Sequence, residues 1–138
     1  MNAGLYTQVA GRHFATANLI AHAAATATEV LPIFHNPNHS VQIFGVTVIP
    51  GVAATGDNTN RTNLNLIDAG ATGAGTTEKG NLDYATGTDA VANDAATLYS
   101  STTGWLLDAG DVLAIQYEKV ASGLAVGPYL VVIEFEPR

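Results

Sequence analysis

Apolar residues along this chain gather in short runs with a period near two, as in "SVQIFGVTVI" (40–49) and "YLVVIEFE" (129–136). Gly, Asn, Asp, Thr and Pro separate the runs, which is how strands and turns are written. No stretch sustains the i, i+3, i+4, i+7 spacing and end caps of an amphipathic helix. The pattern predicts strands over residues 14–20, 28–34, 40–49, 63–67, 96–99, 112–119 and 129–136, with a weak one at 81–84. About eight short strands predict an all-β fold, an antiparallel β-sandwich or jelly roll. An extended N-terminal arm (1–23) is expected to precede the sandwich domain (24–138).

Two strands are apolar on both faces. With strict alternation, 40–49 carries Val41, Ile43, Gly45 and Ile49 on one side and Phe44, Val46 and Val48 on the other. The last strand sets Tyr129, Val131, Ile133 and Phe135 against Leu130 and Val132. A strand with one wet face alternates apolar with polar residues, so the second face needs a cover. A subunit interface formed by Phe44, Val46 and Val48, or by Leu130 and Val132, is expected, because large bare apolar patches are uncommon on monomers.

The stretch "LLDAGDVLAIQYEKV" (106–120) places Asp108 and Asp111 around Gly110. Paired carboxylates suit glycoside hydrolysis, yet Asp, Gly and Asp before an apolar run are turn residues that launch a strand. The strand at 129–136 is expected to pair back on 112–119 as a closing hairpin. Elsewhere the chemistry is thin. His35 and His39 in "HNPNHS" flank a turn and lack a third ligand nearby. "GDNTNRTN" (56–63) is oxygen-rich but lacks the spacing of a calcium loop and reads as an Asn/Asp turn. "GATGAGTTEKG" (70–80) fails both phosphate-loop templates, because Lys79 does not follow a glycine and Glu78 stands where a third glycine belongs. No serine lies in a Gly-x-Ser-x-Gly elbow. No catalytic residue, metal ligand or cofactor is assigned.

Composition narrows the classes further. The 138 residues suit one domain, and the absence of cysteine removes thiol chemistry and disulfide frameworks. Charged residues are only 12 % of the chain and the balance is −7. Nucleic acid and anionic membranes are therefore not expected partners. The first 28 residues hold no Asp or Glu. The run "LIAHAAATA" lacks the basic flank of a signal peptide, no segment approaches the roughly 20 apolar residues of a membrane span, and a soluble protein is expected.

The closing "LLDAGDVLAIQYEKVASGLAVGPYLVVIEF", with "VLPIF" and "VQIFGVTVIPG" upstream, resembles jelly-roll proteins on tailed-bacteriophage heads, among them capsid decoration (cement) proteins. The resemblance covers residues 24–136 in pattern and is strongest over 106–136. It implies a non-enzymatic virion protein on the outer surface of the capsid. It further implies a homotrimer at threefold or quasi-threefold positions, bound to the major capsid protein. Leu5, Tyr6, Val9, Arg12 and Phe14 are the candidate capsid contacts of the arm. The alternative is a carbohydrate- or receptor-binding sandwich, with Trp105, Tyr84, Tyr99 and Tyr6 as candidate platforms. A cupin-like metalloenzyme would need His-x-His strands, which are missing, and a shell protein proper would need a larger or more basic chain.

Overall fold

The computed structural model describes residues 11–138. It contains eight strands and, among the described residues, no helix: β1 His13–Leu19, β2 Glu29–His35, β3 Val41–Pro50, β4 Arg61–Asp68, β5 Thr77–Asp83, β6 Ala96–Leu107, β7 Val112–Val120 and β8 Tyr129–Pro137. They form two antiparallel four-stranded sheets, ordered β1-β8-β3-β6 and β2-β7-β4-β5. Seven of the eight runs read from the sequence lie within or largely over these strands. The weak one at 81–84 marks only the end of β5.

Successive strands alternate between the two sheets, and only β4 and β5 pair with a neighbour in sequence. This is the double-sheet jelly roll. The expected closing hairpin does not form: β7 lies between β2 and β4, whereas β8 lies between β1 and β3. The eight-residue link 121–128 crosses from one sheet to the other, so two runs that look like hairpin arms serve opposite layers. The sequence carries no signal for this, because both partners of each strand are distant in the chain. Part of the stretch expected to be an arm is a strand of the sandwich. Residues 13–19 pair with β8 over their whole length, from His13 opposite Phe135 to Leu19 opposite Tyr129.

Between the sheets lies one main core. It is lined by Val41, Ile43, Val46 and Val48 of β3, Leu64 and Leu66 of β4, Leu113, Ile115 and Tyr117 of β7, and Val131 and Ile133 of β8. Each such side chain contributes roughly 1.5–3 kcal/mol on leaving water. The parity of β3 departs from strict alternation. Its register shifts between Ile43 and Gly45: against β8, Phe44 is an extra residue between partners adjacent in sequence, and against β6 it stands opposite the looped-out residues 101–104. Such a bulge rotates everything beyond it by one position. Val41 and Ile43 point inward before it, and Val46 and Val48 point inward after it.

A polar string ties the cross-sheet links into this core. The buried Tyr129 hydroxyl donates to the Tyr84 hydroxyl at 3.0 Å, and the Tyr117 hydroxyl donates to the Ile20 carbonyl at 3.0 Å. His22 is buried against the Tyr117 ring, its Nδ1 2.9 Å from Glu29 Oε1, while its backbone bridges Val126. Burial holds the hydroxyls of Tyr84, Tyr117 and Tyr129 above the usual tyrosine range, so they stay neutral donors.

Candidate interaction surface

The outward face of β1-β8-β3-β6 is where the sandwich is least like a charged protein surface. Cross-strand register builds it in rows. Asn18, Leu130 and Ile49 form one row, and Thr16, Val132 and Thr47 the next. Phe14, Glu134 and Gly45 form the third. The first two rows contain no ionisable side chain. In the third, Glu134 is neutralised by Arg12 at 2.8 Å. Large apolar side chains stand bare here: Phe14 is 67 % exposed and Leu130 39 %. Ile20, just past the end of β1, is 66 % exposed.

At the Leu19 end of this face the surface dips into a groove of about 280 Å³. Ile49, Pro50, Gly51, Pro128 and Leu130 supply its apolar wall, and Asn18 and Asn93 its polar rim. Backbone bonds fix its shape. Gly51 N–H donates to the Pro128 carbonyl at 2.7 Å, and Asn93 N–H to the Pro50 carbonyl at 2.8 Å. The Gly127–Pro128 peptide is cis. Val52 and Val91, on the segments leading from the groove, are also exposed.

The expected interface residues divide accordingly. Leu130 and Val132 lie on the outward face. Val46 and Val48 are 0 % exposed inside the core of a single chain and have no surface to offer a second subunit. The bulge at Phe44 is the reason. Phe44 is itself buried, and the Arg12 guanidinium roofs its ring at 4.0 Å from the centroid. Of the expected arm contacts, Leu5, Tyr6 and Val9 lie outside the described residues. Arg12 is tied down by Glu134 and Phe44, and Phe14 is a sheet residue of β1 rather than part of a free arm. Ile20, Ile49, Pro50 and Pro128 were not singled out from sequence; only register across strands distant in the chain brings them together.

The other motifs resolve into structure. Asp111 N–H donates to the Asp108 carbonyl at 3.0 Å, closing a turn in which Gly110 takes φ +89°. That turn packs on "HNPNHS": Gly110 N–H reaches the Asn36 carbonyl at 2.9 Å, and His35 Nδ1 lies 3.2 Å from the Asp111 carbonyl. His35 thus faces the β6–β7 turn, and β2 and β3, lying in different sheets, form no hairpin that could bring it opposite His39. Partial desolvation, then the charges of Asp68 and Asp108, raise the Asp111 carboxyl above its ordinary value. Asp57 Oδ1 accepts from the backbone N–H groups of Asn60 and Thr59, an Asx turn rather than a calcium loop. Trp105 packs partly buried against the core, with Lys79 Nζ 4.7 Å from its ring centroid. Tyr84 is buried, and Tyr99 packs partly buried on the core. None of these three rings is a free platform for a sugar.

A scan against protein-family models, a search of curated proteins and a search of solved structures each return no match for this chain.

Proposed function

We propose that this protein is a non-enzymatic structural component of a tailed-phage virion, decorating and stabilising the outside of the capsid as a homotrimer. The observation that carries this reading is the outward face of β1-β8-β3-β6, with Leu130, Val132, Ile49 and Phe14 on rows free of uncompensated charge. Two features support it: the jelly-roll topology, and the resemblance of the closing strands to capsid decoration proteins. Fold alone hosts many functions, so the weight rests on the face. A shell stabiliser needs matched apolar contact and no chemistry. Leu130 and Val132 pack against neighbouring copies, closed rotational symmetry being the usual way to satisfy a sticky sheet. Each contact is expected to bury on the order of 1,600 Å² in total. The Gly11 end of β1, with Phe14, is directed toward the major capsid protein.

The test is solution mass by light scattering, followed by co-sedimentation with shells of the cognate major capsid protein. The expected mass is three times 14.2 kDa. Leu130→Asp is expected to give monomers, and Phe14→Asp to keep the trimer but lose the shell. A native chain that stays monomeric at high concentration and does not co-sediment would overturn the proposal.

A further inference from the structure

The opposite face of the sandwich has a different character. On β2-β7-β4-β5 the outward rows are Val30, Gln116, Asn65 and Asn81, with Glu118, Asn63 and Asp83 beside them. These polar side chains are cross-linked into a ladder. Asn81 Nδ2 donates to Asn65 Oδ1 at 2.6 Å, and Asn65 Nδ2 donates to Gln116 Oε1 at 3.0 Å and to Glu118 Oε2 at 3.1 Å. Asn63 Nδ2 donates to the same Glu118 oxygen at 3.1 Å, and Arg61 Nε holds Asn63 Oδ1 at 3.1 Å. Asn63 and Asn65 are buried although they lie on the outward side of the sheet. Their neighbours' outer atoms carry no bond among the described residues: the Gln116 Nε2 amide, Glu118 Oε1 and Asn81 Oδ1. One rigid row therefore offers a donor and two acceptors to solvent.

Next to this row is an apolar cleft of about 280 Å³ with Val30, Pro32, Val112 and Ala114 on its strands and Ala69 and Gly73 on the β4–β5 connection. Ala114 and Gln116 share a face of β7, two residues and so about 7 Å apart. Cleft and amide row thus form one continuous site.

We propose that this face binds a neutral saccharide. Ligand sites combine an apolar wall with a few fixed polar groups. A sugar offers what this site lacks: adjacent hydroxyls that each donate and accept, and an apolar C–H face or acetamido methyl for the aliphatic cleft. Anionic ligands are disfavoured by Glu118 and Asp83 and by the chain's balance of −7. Peptides are usually taken at free strand edges, in helix-binding grooves or on aromatic channels. Here the open groups lie on side chains across the middle of a sheet, and the cleft has no aromatic. The site faces away from the docking surface and does not depend on it.

The experiment is a glycan array of neutral hexose and N-acetylhexosamine oligosaccharides with sialylated and sulfated controls. Hits are followed by titration into ¹⁵N-labelled full-length protein. Retention of neutral glycans is expected, with shifts at Gln116, Asn81 and Val30. Gln116→Ala and Val30→Asp, both at solvent-accessible positions, are expected to weaken binding at least tenfold with the amide spectrum otherwise preserved. Leu130→Asp, on the other sheet, is expected to leave binding unchanged. No neutral glycan bound at millimolar concentration, binding confined to acidic glycans or to an unstructured peptide, or binding indifferent to both substitutions would each overturn the proposal. Loss of trimer or shell binding would leave this result untouched, so the two readings fail separately.

Discussion

At the residue scale, side chains that look alike in the sequence have opposite fates. Asp57 accepts two backbone N–H groups, and these bonds, from Asn60 first and Thr59 second, hold its carboxyl below the ordinary carboxylate value of 3.8. A depressed folded-state value means stability present above the unfolded value and lost as pH falls through the folded one. Asp57→Ala is therefore expected to lower Tm at neutral pH, with the gap from the native chain closing below pH 3.8; thermal melts across pH check it. Asp111 has the opposite sign: desolvation first, then the charges of Asp68 and Asp108, raise its carboxyl, and acidification relieves both. Val46 and Leu130 make a second contrast. Val46→Ala removes buried methyls and is expected to cost roughly 2 kcal/mol in urea unfolding. Leu130→Ala is expected to cost well under 1 kcal/mol in a monomeric reference and to act on association instead.

At the scale of elements, seven strands are legible because their apolar residues gather in short runs between turn residues, and the turn chemistry of Asp57, Asp108 and Gly110 is local; β5, with Leu82 as its one large apolar side chain, carries no such run. The pairing was not. β7 and β8 read as a hairpin because a Gly-rich loop joins two apolar runs, and nothing in either run says that its partners lie far back in the chain, from Asp68 opposite Leu113 to His13 opposite Phe135. One bulge at Phe44 sent Val46 and Val48 to the core, whereas strict alternation had put them on a subunit interface. β8 keeps its parity there, so Leu130 and Val132 face outward as alternation predicts. Two elements carry tests. β5 closes the sandwich against β6, and a Cβ on Gly80 would run into the Leu98 carbonyl. Gly80→Ala is expected to destabilise the fold and raise hydrogen exchange first in β5 and β6. Tyr129→Phe removes the bond to Tyr84 and leaves a buried hydroxyl without its donor. It is expected to cost about 1–2 kcal/mol, measured by denaturant unfolding.

At the scale of the whole molecule, the two sheets give the protein two unlike sides. One is apolar and the other amide-rich, and each carries a cleft of about 280 Å³. The attachment proposed through the first is expected to resist salt, because screening weakens contacts between exposed charges and leaves apolar burial in place. Co-sedimentation repeated at rising ionic strength checks this, and release by moderate salt would point to an electrostatic contact instead.

The pairing of β1 with β8 has a mechanical meaning. His13 sits opposite Phe135, so the first and last strands enter and leave the sandwich at the same end. A pull between the two termini would open this ladder one rung at a time, like a zipper, instead of shearing all its bonds at once. If the chain is held by its N-terminal end and drawn by its C-terminal end, β1 is the first part to yield, and Phe14 leaves the sheet with it. A load spread across the sheet face has no such starting point. The same molecule is therefore weaker when tugged by its ends than when pulled broadside.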